Sequence, residues 1–375
     1  MKFRILLQVR SGSIRLPYKC FLLIKKIPAI IYLYKRIASL KKNLIIVTSD
    51  DSSDSYLRYI FKQHKINFFT GSLYNVKKRF LDATIDMKDE DVLVRLTGDN
   101  LMVNSKLICE CLKIFQSQKN NYMCINQKKS NVPLGLSVEV FKLKLLREDG
   151  LNSKLSKEHV TYNFIKKNNS LNIKNTYKKR IDIFRCSLDY IEDYFLLKKK
   201  LANCNIKSDW KILCKSLSRN KINKKNNFKF SVKKTNELSV LEEKKIFNIK
   251  RTFWKHSFES QKSFFLRTYK PYDVHILLYN TVNLIGYSCL RFGKSKKRKY
   301  IVLDAFVVSP KYYGKGISNI LLAKSMNEII ISKLDAYCYA NKNSFTLYKK
   351  FNWKLSNNYQ LFKKKPFIRL MKFVK

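Results

Sequence analysis

Three cations and a glycine follow the first apolar run of the chain. In Gln8-Val-Arg-Ser-Gly-Ser-Ile-Arg-Leu-Pro-Tyr-Lys19, Gly12 stands between Ser11 and Ser13, and Arg10, Arg15 and Lys19 bring positive charge to one loop. Backbone N–H groups at a glycine turn, backed by cations, suit a nucleoside triphosphate, whose negative charge grows on the α-phosphate and the departing pyrophosphate during transfer. Farther on, Arg95-Leu-Thr-Gly-Asp-Asn100 puts Asp99 just past an apolar run, and Arg185-Cys-Ser-Leu-Asp189 offers a second carboxylate. A carboxylate at the exposed end of a buried strand can hold Mg²⁺ against phosphate oxygens, and two of them fit two-carboxylate Mg²⁺ chemistry.

A second constellation lies in the last third of the chain. Val307-Val-Ser-Pro-Lys-Tyr-Tyr-Gly-Lys-Gly-Ile-Ser318 joins a long apolar run to an amphipathic stretch. Gly314 and Gly316 let consecutive N–H groups converge at a helix N-terminus, where the helix dipole adds to anion binding, and a pyrophosphate is the expected guest. The segment Asn343-Ser-Phe-Thr-Leu-Tyr-Lys-Lys-Phe-Asn-Trp353 follows the next strand pattern.

The elements that must position these groups alternate. Apolar runs at Arg4 to Val9, Leu44 to Thr48, Ile66 to Phe69 and Val92 to Leu96 read as strands, separated by helical patterns at Ile30 to Leu40, Tyr56 to His64 and Val76 to Met87. Strand-helix alternation predicts a parallel sheet with ligands at the carboxyl ends of its strands. Past Ser187 the pattern degrades, and Ser216 to Lys229 carries no acidic residue, which predicts a solvated linker at 216–227 between domains at 1–215 and 228–375. The second set reads as strand Phe228 to Val232, helix Glu237 to Trp254, a hairpin of Val274 to Leu278 with Leu284 to Leu290, strand Tyr300 to Val308, helix Ile317 to Ile331, strand Leu334 to Ala340 and helix Ser344 to Phe351.

From Phe3 to about Leu197 the chain resembles the cytidylyltransferase family of the spore-coat protein SpsF and, more distantly, the CMP-sugar synthetases. LLQVRSGSIRLPYK, IVTSDD, FFTGSLYNVKKRF, VRLTGDN, PLGLSVEVF, KEHVTYNFI and RCSLDYIEDY carry the resemblance in order. It implies a Rossmann-like α/β nucleotidyltransferase domain that uses CTP and Mg²⁺ to transfer CMP to a sugar hydroxyl. Arg10, Gly12, Ser13, Arg15 and Lys19 would hold the triphosphate, Asp99 and Asp189 the metal. Ser49 and Asp50 would face the nucleotide, and Glu139 and His159 would lie near the sugar. Tyr18 stands where the family usually has glycine, and Asn100-Leu-Met-Val replaces the commoner Cys-Pro-Leu-Ile. From about Phe228 onward, FVVSPKYYGKGIS and NSFTLYKKFNW resemble the GNAT acetyltransferases, an α+β fold that holds acetyl-CoA between two splayed strands. The resemblance places the cofactor's pyrophosphate on Tyr313, Gly314, Lys315, Gly316, Ile317 and Ser318, with Val308 and Asn343 nearby, and implies Tyr348 as the acid that protonates the departing thiolate. Lys311 stands where Gln or Arg is usual. Asp304 and His275 are the candidates for the base that serves the amine.

Together the domains read as a bifunctional enzyme of surface-glycan synthesis that activates a sugar, in particular a sugar acid, as a CMP derivative and N-acetylates an amino sugar. Two rivals stand beside this reading: an acetyltransferase acting on a nucleotide sugar held by an inactive first domain, and a basic nucleic-acid-associated protein. The 375 residues carry 77 Lys and Arg against 27 Asp and Glu, a formal net charge of +50, which favours the second rival. Only 16 of the 77 are Arg, however, and Lys, Asn and Ile are together abundant, the bias that AT-rich coding produces. Nucleic-acid readers favour the Arg fork, so no specific nucleic-acid partner is expected. Nine cysteines without a CxxC pair predict buried thiols in a reducing compartment rather than disulfides or zinc. The opening run Phe3 to Val9 is too short for an export signal, and no segment reaches the ~20 apolar residues of a membrane span, so a cytoplasmic location is expected, with a homodimer left open.

Overall fold

The computed structural model of the chain describes residues 2–118, 120–125, 130–149, 160–161, 163, 170–171, 182–215, 227–295, 298–357 and 369–373. Close packing divides it into two units, Met1–Gly12 with Leu23–Asn223 and Ser13–Leu22 with Lys224–Lys375. The predicted linker falls on 216–227, of which 216–226 lie outside the described residues.

In the first unit Phe3–Gln8 (β1) forms because Ile5, Leu6 and Leu7 are all fully buried, as a strand covered on both faces requires. It pairs in parallel with Leu44–Ser49 (β4) on one side and Val92–Thr97 (β6) on the other, and β4 pairs in parallel with Phe68–Gly71 (β5). The predicted third strand starts two residues late, since Ile66 and Asn67 precede the ladder. Beyond β6 the sheet turns antiparallel: Glu139–Lys142 (β8) pairs with β6, Tyr122–Ile125 (β7) with β8, and the two-residue strand Ser170–Leu171 (β9) runs parallel to β7. The order is β5-β4-β1-β6-β8-β7-β9, a mixed sheet rather than an all-parallel one, and Leu23–Ile24 (β2) with Ile27–Pro28 (β3) forms a separate antiparallel pair. Helices Val76–Asp82 and Leu143–Glu148 cover one face, with Val76, Phe80, Leu143 and Leu146 packed on Leu6, Val47, Leu93 and Phe141. The pattern past Ser187 does not degrade into coil. Ile191–Ala202 and Trp210–Lys215 are helices, the first opened by Asp193, whose carboxylate accepts from Tyr190 N–H at 2.9 Å.

In the second unit Phe228–Lys234 (β10), Val274–Asn280 (β11), Asn283–Ser295 (β12) and Arg298–Val308 (β13) form an antiparallel meander. Asp335–Ala340 (β14) then adds in parallel to β13, followed by Arg369–Phe373 (β16) and Trp353–Leu355 (β15). Helices Val240–Arg251 and Phe258–Thr268 bury Ile246, Phe247, Ile249 and Phe265 against Leu277, Tyr287 and Cys289 on one face. Ile317–Ser332 covers the other face, where Ser288 Oγ and Ser325 Oγ lie 2.8 Å apart and a Cβ added to Gly286 would stand 3.3 Å from Leu321 Cδ2. The helix at Phe258–Thr268 had no counterpart in the sequence reading, because its apolar residues are mixed with charges at weak periodicity. Among the described residues no helix is long and apolar enough to cross a membrane. All nine cysteines are unpaired.

Candidate functional site

The carboxyl ends of β1, β4 and β6 carry the first set of groups. Gly98 N–H donates to the Gln8 carbonyl at 2.8 Å, and a Cβ at Gly98 would lie 3.0 Å from Val9, so glycine is needed for β6 to end against β1. One residue on, Asp99 Oδ1 accepts from the Thr97 hydroxyl at 2.7 Å. Leu188 N–H donates to the Asp99 carbonyl at 2.9 Å, which sets Asp189 on the segment beside Asp99, 90 positions away in sequence. Asp189 is buried and its Oδ2 accepts from Arg185 Nη2 and from the Ser187 hydroxyl, each at 3.0 Å. Behind it Asp193 takes the backbone N–H groups of Asp189 and Tyr190, and burial raises its pKa from the usual value. Leu101, Met102 and Val103, the departures after Gly-Asp, are fully buried and leave the Asp99 turn intact.

Asp54, which sequence reasoning passed over as part of a polar cluster, organises the loop. Its buried carboxylate accepts from Ser11 N–H at 2.7 Å, Ser49 N–H at 3.3 Å, the Thr48 hydroxyl at 3.2 Å and the Ser49 hydroxyl. Ser49 is therefore fully buried and turned inward to Asp54, whereas Asp50 is exposed with its N–H on the Gly71 carbonyl at 2.9 Å. Arg79 is a second residue the sequence reading did not single out. It is buried, donates to the Ser72 carbonyl, and has its pKa lowered first by burial and then by Arg10, with Asp54 and Asp50 acting against the shift. Arg10, Asp50, Asp54 and Arg79 thus form one charged neighbourhood at the ends of β1, β4 and β5. The only sequence signals for it were the Ser-Asp-Asp-Ser-Ser-Asp run and the basic end of Asn75-Val-Lys-Lys-Arg79.

Along the loop itself, Gly12 and Arg15 are exposed and Arg10, Ser13 and Lys19 half-buried. Gly12 is not forced by the fold, since a Cβ there would meet nothing within 4 Å. The left-handed residue is Tyr18, at φ 58° and ψ 21°, a conformation that glycine adopts most readily. Its ring is buried and stacks on Phe21 at 5.9 Å, contacts that offset the strain. The Ser11 hydroxyl is buried with no hydrogen-bond partner among the described residues. Glu139 is held by Arg95, which reaches both carboxylate oxygens at 2.9 and 3.0 Å and also Gln8 Oε1 at 3.2 Å. His159 lies outside the described residues.

Two carboxylates on adjoining segments are hard oxygen donors of the type Mg²⁺ takes when phosphates and water complete its shell, so Asp99 and Asp189 fit the metal. Among the described residues no group of three or more His, Cys, Asp or Glu converges.

In the second unit the strands part where a thioester could enter. β13 pairs with β14 only from Tyr300 to Leu303, and from Asp304 to Val308 it keeps β12 alone. There Ala305 and Phe306 face the single residue Ser288 in a bulge, with Ala305 at φ 49°. Val308 ends the strand, buried opposite Gly286. Gly314 and Gly316 sit at φ 72° and 76°, and Gly316 caps the helix Ile317–Ser332. Tyr313 N–H donates to Pro310 and Lys315 N–H to Tyr312, so these two are engaged within the turn. The first-turn N–H groups of Ile317 and Ser318 have no helical carbonyl within reach, as at any helix start. Asn343 is exposed in the first turn of Lys342–Lys350, whose cap is Asn341.

Tyr348, on that helix, is 3% exposed between Phe306 and Trp353 at ring distances of 6.0 and 5.5 Å. Its hydroxyl has no hydrogen-bond partner among the described residues, and burial pushes its pKa well above the usual value. His275 is a satisfied core histidine: Nδ1 meets the Tyr287 hydroxyl at 2.8 Å and Nε2 the Thr235 hydroxyl at 2.9 Å, and burial with Lys250 nearby lowers its pKa to about 4. Asp304 instead lines a cavity of about 370 Å³ with Lys250, Gln261, Phe264 and Tyr269.

A family model described as Cytidylyltransferase matches residues 4–207, and one described as Acetyltransferase (GNAT) family matches residues 244–353. An uncharacterized protein of Methanocaldococcus jannaschii is 31% identical over 204 residues, 52% of this chain and 82% of that protein. The spore coat polysaccharide biosynthesis protein SpsF of Bacillus subtilis is 29% identical over 206 residues, 52% of this chain and 83% of that protein. A solved cytidylyltransferase from Leptospira borgpetersenii shares the first fold with a TM-score of 0.52 at 24% identity, over 57% of this chain and 93% of that one.

Proposed function

Because the chain belongs to the cytidylyltransferase family through residues 4–207 and carries a GNAT acetyltransferase domain over residues 244–353, we propose that it joins two reactions of one pathway: transfer of CMP from CTP to a sugar, in particular a sugar acid, and acetylation of an amino group on that sugar or its precursor. The product is a building block for a cell-surface glycan. The observation that carries the reading is the backbone hydrogen bond that brings the Asp189 segment to Asp99 at the end of β6.

In the first reaction a sugar hydroxyl oxygen attacks the α-phosphorus of CTP in line, the bond to the β-phosphate oxygen breaks, pyrophosphate leaves and the hydroxyl proton is released. Arg10, Arg15 and Lys19 meet charge that grows on the phosphates, with backbone N–H groups around Gly12 and Ser13 beside them. Asp99 and Asp189 would hold Mg²⁺, which when bound supplies positive charge to the phosphate oxygens. Asp54 positions the loop through Ser11 and pins Ser49, while Asp50 is free to face the nucleotide. Glu139, tied to Arg95, would lie near the sugar.

In the second reaction the amine nitrogen attacks the thioester carbonyl of acetyl-CoA, the carbon–sulfur bond breaks, Tyr348 protonates the thiolate and the amine proton passes to Asp304. Gly316, Ile317 and Ser318 receive the pyrophosphate. The decisive experiment gives the full chain CTP, MgCl₂ and a panel of sugar acids, and in a second tube acetyl-CoA with amino sugars. Asp99→Asn is expected to abolish pyrophosphate release and leave thiol release intact. Pyrophosphate release by the variant at the wild-type rate would overturn the metal assignment.

A further inference from the structure

The cavity that Asp304 lines also holds a buried lysine with no ion-pair partner among the described residues. Lys250, near the end of the helix Val240–Arg251, is 4% exposed, yet its ammonium makes no hydrogen bond or ion pair among the described residues. Its ammonium stands over the ring faces of Phe264 and Tyr269, at 4.9 and 5.5 Å from their centroids. Gln261, from the neighbouring helix, is also 4% exposed and its amide is likewise without a hydrogen-bond partner among the described residues. Both line the same cavity, as does the cation Arg267.

Buried polar groups are ordinarily hydrogen-bonded, and buried charges are paired, because desolvation without a partner is costly. The acidic residue lining the cavity, Asp304, does not serve as that partner: its carboxylate is engaged by Arg291 at 3.4 Å and the Tyr269 hydroxyl at 3.5 Å. Ring faces attract the ammonium but leave its N–H groups without acceptors. Asp304 attracts Lys250 through space without pairing with it, and what the ammonium and the Gln261 amide lack is a partner whose oxygens accept their N–H groups.

Taking the cavity as the acceptor site of the acetyltransferase reading, on which this rests, we infer that the acceptor carries an anionic group, a carboxylate or a phosphate, which seats on Lys250 with Gln261 and Arg267 beside it. Lys250 is then the residue that selects a charged amino sugar over a neutral one. A volume of about 370 Å³ falls in the range of small-molecule sites, about 300–1,000 Å³.

The test measures binding and turnover separately on the full chain, with three probes: glucosamine, 2-amino-2-deoxyglucuronic acid and glucosamine 6-phosphate. By calorimetry the wild type is expected to bind the carboxylate or the phosphate probe at least about tenfold more tightly than glucosamine, as a charge-assisted hydrogen bond would give. Which of the two binds tells carboxylate from phosphate. Lys250→Met is expected to erase the preference, and Lys250→Arg, which keeps the cation, to retain it. Equal affinity for all three probes, or a preference that survives in Lys250→Met, would overturn the inference. Thiol release from acetyl-CoA is read in parallel, and its absence with probes that bind would count against the acetyltransferase reading instead.

Discussion

Removing the Asp54 carboxylate should loosen the whole nucleotide loop, because one buried group anchors donors from two strand ends. In Asp54→Ala the Ser11 and Ser49 N–H groups, now 2.7 and 3.3 Å from the carboxylate, lose their acceptor, while the Thr48 and Ser49 hydroxyls can turn elsewhere. At about 1–3 kcal/mol for each buried donor left unsatisfied, the cost is about 2–6 kcal/mol. Asp54→Asn keeps one acceptor oxygen but sets an NH₂ against the remaining donors, and about half that loss is expected. Scanning calorimetry of the full chain, with CTP and acetyl-CoA each added to identify the transition it stabilises, reads the effect. At about 2–4 °C per kcal/mol for a domain of this size, the CTP-sensitive transition of Asp54→Ala should fall by at least about 4 °C. The acetyl-CoA-sensitive one should stay, and pyrophosphate release should drop with the first. A CTP-sensitive transition within about 1 °C of wild type would refute the anchoring argument, since it would mean that the four contacts are replaced at no cost.

Two further outcomes concern the second unit. Gly316→Val forces a β-branched residue to φ 76°, a strain of about 1–2 kcal/mol or more, and places a side chain where the pyrophosphate must approach, so acetyl-CoA binding by calorimetry should vanish. Tyr348→Phe keeps the packing on Phe306 and Trp353 and should bind acetyl-CoA normally while turnover falls about a hundredfold; unchanged turnover would leave Tyr348 a packed aromatic. His275 sets a pH dependence. Its folded pKa of about 4 lies below the usual 6.5, so between these values the unfolded chain binds more protons. The neutral form's contribution is complete above about pH 6.5 and drains by about 3 kcal/mol as pH falls to about 4. Urea midpoints of the acetyl-CoA-stabilised transition should drop over that window in the wild type and change less in His275→Gln; a flat wild-type profile would contradict the buried, neutral histidine.

The turns and strand ends that carry the candidate groups were legible in one dimension. Arg10, Gly12 and Lys19 in one loop, Asp99 after Leu-Thr-Gly, and two glycines ahead of Ile317 each depend on neighbours within a few residues, where strand ends, turns and helix starts are set by short-range sterics. The apolar runs of β1, β4 and β6 were equally plain, since strands buried on both faces read as continuous hydrophobics. What tertiary structure decided is what distant segments do to one another. Only folding sets Leu188 N–H on the Asp99 carbonyl, turns β7 and β8 antiparallel, sends Ser49 inward to Asp54, and puts a left-handed residue at Tyr18. Lys250 marks the difference. As one lysine among many it carries no sequence signal, and its meaning comes from burial over two aromatic faces with no ion-pair partner among the described residues, a matter of desolvation that arises only once the chain has closed around it.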